Sequence, residues 1–183
     1  MVGAGELGGW IVSISIEFKP GLVAQRVIHH QLIASTMHKT YRQAMKRICV
    51  IDGQGGGMGS TIIRKLRETL GDGVEVIALG TNAIATAQML KARANRGASG
   101  ENAIIYTAAR VDVILGPLGI VLANAMMGEV TSRMAAAVAD SPALKLLLPL
   151  SQERVQVVGV ASGPLPHLVE ALIEDHLKPY LAR

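Results

Sequence analysis

Apolar and polar positions alternate in a regular order from residue 46 onward. Short apolar runs of five or six residues, rich in β-branched side chains, are mostly followed by stretches with helical periodicity. The runs predict five strands: Arg47–Asp52, Val74–Leu79, Val111–Leu115, Leu144–Leu148 and Val155–Val160. The periodic stretches predict five helices: Gly57–Leu70, Ala83–Ala94, Leu118–Met127, Ser132–Ala139 and Leu165–Leu177.

This order predicts an α/β domain with a Rossmann-like, mainly parallel sheet and helices on both faces. The last two predicted strands differ, because only the four residues Ser151–Arg154 separate them. So short a link cannot cross over between parallel strands, so an antiparallel edge strand is expected if these two strands pair.

Local signals define several of these elements more closely. The first predicted helix places Arg64, Lys65, Arg67 and Glu68 on its outer face. The second should close at Asn95-Arg96-Gly97, followed by a polar loop, Ala98–Asn102, and a short apolar piece, Ala103–Tyr106. Thr131 is expected to cap the helix that begins at Ser132.

Residues 1–44 differ from the rest of the chain. They contain the only Trp and the only Phe, and their periodicity is poor. We predict two parts: residues 1–44 as an extension that is either not native or poorly ordered, and residues 45–183 as the Rossmann-like nucleotide-binding domain. The rival interpretation is a real arm used for oligomer contacts. His29, His30 and His38 lack acidic or cysteine partners at ligand spacing, so we expect no metal site.

The charge pattern argues against nucleic acid as a partner. The net charge is +4, but residues 1–47 carry six Lys/Arg against two Glu, and residues 48–183 carry twelve of each sign. The body of the chain therefore has no excess positive charge to attract a phosphate backbone. Aromatic residues make up only 3% of the chain, too few for platforms that stack single strands.

The compartment is expected to be the cytoplasm. The single cysteine, Cys49, excludes a disulfide framework and suits a reducing environment. The longest uncharged run, Val113–Gly128, is interrupted by Pro117 and Asn124. It falls short of the roughly 20 apolar residues that a spanning helix needs, so no membrane association is expected.

The candidate chemistry centres on a glycine turn between the first predicted strand and helix, where five glycines fall within seven residues. Their spacing fits G-x-x-G-x-x-G as Gly53, Gly56 and Gly59, and G-x-x-x-G-x-G with Gly57 as the middle glycine. Strand, glycine turn and helix in this order expose N–H groups at a helix N-terminus, where phosphate binds. Gly53 would allow the tight turn, Gly56 the close approach of a pyrophosphate, and Gly59 close packing of the helix. The turn resembles the loop of dihydrodipicolinate reductases.

The ligand is predicted to be a nucleotide, a dinucleotide of the NAD or NADP type, or a small phosphorylated metabolite. An NAD site usually has an acid at the end of the second strand, but this sequence has Gly80-Thr81-Asn82 there. Thr81 or Asn82 could bind a ribose or a 2′-phosphate, and Gly116-Pro117 follows the third predicted strand. The predicted binding residues are Asp52, Gly53, Gln54, Gly55, Gly56, Gly57, Met58, Gly59, Thr81, Asn82, Gly116 and Pro117.

Other polar groups are expected near the same edge, but none can be assigned a catalytic role from the sequence. They are Glu101, Asn102, Asn124, Glu129, Ser162 and His167. Asp52 could bind a ribose, a metal-bound phosphate or a catalytic proton, or it could cap the glycine turn. Cys49, inside a predicted strand, is expected to be a core residue and not a nucleophile.

From Lys46 to about Leu177 the chain resembles a family of small bacterial proteins that is filed as a domain of unknown function. The runs that carry the resemblance include Ile51–Ser60, Ala78–Ala87, Asn95–Asn102, Gly116–Ile120, Met127–Thr131 and Pro164–Leu168. The resemblance implies a fold and no mechanism.

Two functions follow as hypotheses. The first is a dinucleotide-binding protein, in its catalytic form an NAD(P)-dependent reductase. Its body of about 138 residues leaves little room for a separate substrate domain, so a substrate site would need the Gly116 loop, Asn102 or a second subunit of a homo-oligomer. The second is a non-catalytic sensor or regulator that binds a nucleotide or small phosphorylated metabolite. A structural subunit of a larger complex ranks third.

Overall fold

The computed structural model describes residues 45–150, 155–160 and 163–183, and Ala44–Arg183 form one compact unit. The predictions made for residues 1–44 and for Ser162 lie outside the described residues.

The centre of this unit is a five-stranded sheet in which every neighbouring pair of strands is parallel. The spatial order is β3-β2-β1-β4-β5. The chain thus builds outward from β1 in one direction and then in the other, which creates a topological switch point between β1 and β4. The strands are β1 (Arg47–Asp52), β2 (Glu75–Gly80), β3 (Arg96–Ser99), β4 (Val113–Pro117) and β5 (Leu144–Leu148).

Helices connect the strands and cover the sheet. They are α1 (Gly57–Leu70), α2 (Ala83–Lys91), α3 (Glu101–Ala108), α4 (Ser132–Asp140), α5 (Leu165–Ala171) and α6 (Lys178–Leu181). A short 3₁₀ helix, Leu118–Val121, follows β4, and a π-helical segment, Leu172–Leu177, joins α5 to α6. Within the described residues, no helix is long and apolar enough to cross a membrane.

Two apolar cores lie on opposite faces of the sheet, because side chains alternate along each strand. Ile48 and Val50 of β1 face the core formed with α1, α2 and the C-terminal helices. Cys49 and Ile51 face the core formed with α3, α4 and the 3₁₀ helix. The predicted Rossmann-like fold, with helices on both faces, is therefore confirmed.

The predicted antiparallel edge is wrong. Residues Val155–Val160 form no strand, and β5 pairs in parallel with β4. Val155, Val157 and Val158 are exposed. The apolar, β-branched composition of this segment produced the strand prediction, but the side chains do not enter the core that a sheet strand would need.

The region between β2 and β4 was also predicted incorrectly. Residues expected to end a helix and form a polar loop contain the edge strand β3, and the apolar piece at residues 103–106 lies within α3. β3 has the sequence Arg-Gly-Ala-Ser and is mostly exposed. It contains no apolar run that could indicate a strand.

Other boundaries are closer to expectation. β1, α1 and β5 match their predicted ranges, and Thr131 caps α4 as predicted, since its Oγ1 accepts a hydrogen bond from Met134 N at 3.1 Å. The predicted helix Leu118–Met127 is limited to the 3₁₀ helix, because Asn124 and Met126 have positive φ angles that a helix cannot accommodate. The predicted outer-face position of Arg67 is wrong, because only 8% of this residue is exposed.

Candidate functional site

The carboxyl ends of β1 and β2 bring the glycine turn and the Thr81-Asn82 pair into contact. Asp52 lies opposite Gly80 in the register of the two strands. Thr81 N donates to the carbonyl of Asp52 at 3.0 Å, and Asn82 Nδ2 donates to the carbonyl of Gln54 at 3.0 Å. The two segments that were predicted to hold a phosphate and a ribose therefore form one continuous edge.

Two glycines of the turn are required by packing inside the protein. Gly56 has a φ of 68°, and a Cβ on it would lie 2.7 Å from the Cα of Ala85 in α2. A Cβ on Gly59 would lie 2.5 Å from Met89 Sδ and 2.9 Å from Asp52 Cβ. Gly59 thus allows α1 to pack close to β1, as its position predicts, whereas Gly56 faces the backbone of α2.

Two more glycines of the turn are open. Gly55 and Gly57 are exposed, and a Cβ on either would meet no atom within 4 Å. Within the described part of the chain, neither of their N–H groups has a hydrogen-bond acceptor. They are available donors at the N-terminus of a 14-residue helix, where the helix dipole favours an anion.

The side chain of Asp52 caps the glycine turn. Its Oδ1 accepts a hydrogen bond from Gly53 N at 2.8 Å and its Oδ2 accepts one from Gly59 N at 2.7 Å. Burial raises the pKa of this carboxyl, and the nearby charge of Glu129 raises it further, while the N–H donors of Gly59, Gly53 and Met58 act in the opposite direction. Of the roles open to Asp52 in the sequence, the geometry shows the capping role.

Glu129 is the main residue of this edge that the predicted binding set lacks, although the sequence lists it among the polar candidates. One oxygen, Oε2, accepts hydrogen bonds from Gln54 N at 2.8 Å, Thr81 Oγ1 at 2.5 Å and Asn82 Nδ2 at 2.9 Å. A Cβ on Gly53 would lie 2.9 Å from the same oxygen. The carboxylate therefore lies between the glycine turn and the end of β2.

These hydrogen bonds favour the ionised form of Glu129. Burial opposes its ionisation, but the donors Thr81, Gln54 and Asn82 outweigh that effect and lower the pKa of the carboxyl. Glu129 is accordingly ionised at neutral pH and places a fixed negative charge at the edge of the sheet.

The segment that carries Glu129 has an unusual backbone. Asn124, Met126, Met127 and Gly128 all have positive φ angles, between 56° and 90°. Glycine and asparagine tolerate this region, whereas methionine does so at a cost of about 1–3 kcal/mol. The backbone closes on itself through hydrogen bonds from Asn124 N to Val130 O and from Val130 N to Ala125 O, which hold residues 124–130 in this shape.

Asn82 has two structural tasks at this edge. Its Oδ1 accepts a hydrogen bond from Ala85 N at 2.8 Å and so caps α2, while its Nδ2 contacts Gln54 O and Glu129. Together with Thr81, it joins the ends of β1 and β2 to the segment of Glu129.

Gly116 and Pro117 are buried at the end of β4. A Cβ on Gly116 would lie 2.5 Å from the carbonyl oxygen of Ile51 and 3.0 Å from Ile120 Cδ1. The glycine therefore serves the packing of β4 against β1, and its predicted contact with a ligand remains a prediction.

Of the remaining polar candidates, Glu101 has its partners outside the glycine turn. Glu101 pairs with Arg133 at 2.7 Å and accepts a hydrogen bond from Thr131 Oγ1 at 2.6 Å. Asn102 is exposed in the first turn of α3, and His167 is exposed in the first turn of α5.

The described residues contain no group of three or more His, Cys, Asp or Glu side chains that could hold a metal ion. Cys49 is fully buried in β1, and burial raises the pKa of its thiol, so it is a core residue.

A family model described as Domain of unknown function (DUF3842) matches residues 47–180. The match covers β1 to α6 and includes the glycine turn, Thr81, Asn82 and Glu129. No curated protein matches the sequence.

Proposed function

The chain belongs to this family of unknown function, and we propose that it binds a nucleotide or a dinucleotide of the NAD(P) type at the glycine turn. One observation carries the proposal: Gly55 and Gly57 are exposed residues at the N-terminus of α1, and their N–H groups have no acceptor among the described residues. Such groups bind the oxygens of a phosphate well.

The position of these donors in the sheet supports the same proposal. In open α/β sheets, ligands bind outside the carboxyl ends of the strands, where the strand order reverses. The glycine turn follows β1, which lies between β2 and β4 at that point. A phosphate at Gly55 and Gly57 would place the attached ribose within reach of the β2 end, where Thr81 and Asn82 lie.

A redox enzyme is the catalytic form of this proposal. The bound nicotinamide would exchange a hydride with a second substrate, and a neighbouring subunit of a homo-oligomer would complete the substrate site. A cytoplasmic location belongs to the same proposal, because NAD(P)-dependent reduction and the free thiol of Cys49 both suit a reducing compartment.

A non-catalytic sensor is the second candidate, and a specific observation favours it. The two carboxylates closest to the turn are both engaged: Asp52 accepts hydrogen bonds from Gly53 and Gly59, and Glu129 accepts three hydrogen bonds through one oxygen. Groups held in this way serve positioning better than proton transfer, since a general base must be able to reach its proton.

A thermal-shift panel on the full chain tests binding. The panel contains NAD, NADH, NADP, NADPH, flavins, ATP, GTP and coenzyme A. A ligand present at 100 times its Kd adds about 2.7 kcal/mol of stability, which raises the melting temperature measurably. The proposal expects at least one nucleotide or dinucleotide of the panel to do so. Absence of any shift across the whole panel would contradict it, and a shift with ATP or GTP alone would exclude the nicotinamide dinucleotides.

Turnover separates the two candidates once a dinucleotide binds. A reductase should oxidise bound NADH or NADPH in the presence of a suitable carbonyl or imine substrate. The loss of absorbance of the reduced nicotinamide measures this oxidation. A sensor should bind the same cofactor without oxidising it across the substrate panel, and should change its assembly or partner binding instead.

A further inference from the structure

We infer that Glu129 selects a dinucleotide whose adenosine ribose has free 2′- and 3′-hydroxyls, so that the protein binds NAD in preference to NADP. The inference rests on the proposed function. The end of β2 has no acid in the sequence, because Gly80-Thr81-Asn82 occupies the place where an NAD site usually has one. The structure brings one there from the segment after β4.

The contacts of Glu129 leave one oxygen for a ligand. Three donors, from Gln54, Thr81 and Asn82, converge on Oε2. Oε1 has no hydrogen-bond donor among the described residues. An ionised carboxylate oxygen only accepts hydrogen bonds, so its natural ligands are hydroxyl or N–H groups. In dinucleotide-binding sheets, a carboxylate at this position binds the ribose hydroxyls.

Two further features show that the protein holds Glu129 in place at a cost. A side chain at position 53 would collide with Thr81 Oγ1 and Met126 Sδ at 2.6 Å, so glycine there admits the cluster around Glu129. Met126 and Met127 adopt positive φ angles just before it. Strain of this kind persists where the surrounding structure fixes it, and it concentrates at functional sites.

Charge gives the direction of the preference. Glu129 carries a negative charge, and the 2′-phosphate of NADP would bring a second one to the same position. The sequence from Gly80 to Leu90 contains no lysine or arginine that could neutralise that phosphate. Free hydroxyls, in contrast, can donate to Oε1.

The test is calorimetric titration of the full chain with NAD and with NADP. The wild-type protein should bind NAD roughly tenfold more tightly or better, because like charges that face each other oppose association. Glu129→Gln keeps the size of the side chain and one oxygen for the three donors. It should bring the two affinities together, mainly by strengthening NADP. Glu68→Gln makes the same charge change on the exposed face of α1 and should leave the ratio unchanged.

The outcomes are distinguishable. If neither dinucleotide binds, the dinucleotide form of the proposed function fails and the inference with it. If the wild-type protein binds both equally or prefers NADP, the proposed function stands and the inference is overturned. If Glu129→Gln strengthens NAD and NADP by the same factor, the carboxylate obstructs the ligand and the inference is also overturned. Since the wild-type preference requires no variant, poor folding of Glu129→Gln would not remove the test.

Discussion

Gly56 and Gly57 are neighbours in the sequence, but only Gly57 has room for a side chain. Gly56→Ala should destabilise the protein by at least about 1–2 kcal/mol, because alanine resists a positive φ and its Cβ would collide with Ala85. Gly57→Ala should be neutral or stabilising by about 0.4–1 kcal/mol, since it restricts the unfolded chain at an open position. Urea unfolding monitored by circular dichroism measures both.

The same pair of positions separates folding from binding. A bulky residue at position 57, as in Gly57→Val, should weaken dinucleotide binding and leave the melting temperature of the ligand-free protein nearly unchanged. A Gly57→Val protein that binds as well as the wild type would show that the exposed N–H groups do not contact the ligand. A binding loss in Gly56→Ala would carry no such meaning, because that variant also disturbs the turn.

Glu129 should make the stability of the protein depend on pH in a defined direction. Its pKa is lower in the folded state, so its stabilising effect is complete above the ordinary carboxyl range and is lost as the pH falls through its folded value. Glu129→Gln should therefore reduce the loss of stability on acidification below about pH 5. Unfolding free energies at several pH values, with Glu68→Gln as the control, measure this. Identical pH profiles for the wild type and Glu129→Gln would contradict it.

The contacts of single residues are predictable from the sequence where the signal is local. The glycine spacing predicts close packing at Gly59. Thr131 lies three residues before Met134, which is the usual sequence spacing of a helix cap. Glu129 could not be placed in this way, because its partner Gln54 lies 75 residues earlier in the chain. A contact of that kind depends on the order of the strands and leaves no periodic pattern.

At the scale of elements, Arg67 ties the end of α1 to its neighbours. Its guanidinium donates to Gly71 O at 2.7 Å, to Arg93 O at 2.9 Å and to the side chain of Asn95. One buried cation thus joins α1, the turn before β2 and the segment before β3. The helical pattern placed it outside, because local periodicity cannot show that a long side chain will turn inward to meet carbonyl groups.

Replacing Arg67 should therefore cost far more than replacing an exposed arginine of the same helix. Arg67→Met should destabilise the protein by about 2–3 kcal/mol, because it removes charged donors and leaves buried acceptors unpaired. Arg64→Met, on the exposed face, should cost less than about 0.5 kcal/mol. Chemical unfolding of the two variants measures the difference. Equal effects would indicate that the hydrogen bonds of Arg67 contribute little.

β3 and α3 were not predicted from the sequence, because neither has a strong local pattern. β3 is a four-residue edge strand paired only with β2, and its stability comes from backbone hydrogen bonds and from Gly97 packing on Leu90 and Thr86. α3 has apolar residues in a short run that fits a strand or a helix equally well. Both elements are determined by the sheet that surrounds them.

At the scale of the whole molecule, the regular alternation of strands and helices was sufficient to predict a mainly parallel sheet with helices on both faces. The sheet order explains the location of the candidate site, because β1 lies at the centre and its carboxyl end faces the switch point. The error at residues 155–160 came from treating an apolar composition as evidence of pairing. Apolar composition alone ensures neither burial nor pairing, because a strand needs a neighbouring strand with free backbone groups.

The proposed function depends on one interaction, that of a nucleotide phosphate with the N–H groups of Gly55 and Gly57. It can be measured directly by titrating the ¹⁵N-labelled full chain with NAD and recording the amide chemical shifts at each step. The amide signals of Gly55 and Gly57 should shift most and saturate together with those of Thr81 and Asn82, while the signal of Gly71, at the far end of α1, should stay unchanged. Two results would contradict this interaction. One is that the Gly55 and Gly57 signals stay unchanged when NAD saturates the protein, and the other is that no amide signal responds to millimolar NAD.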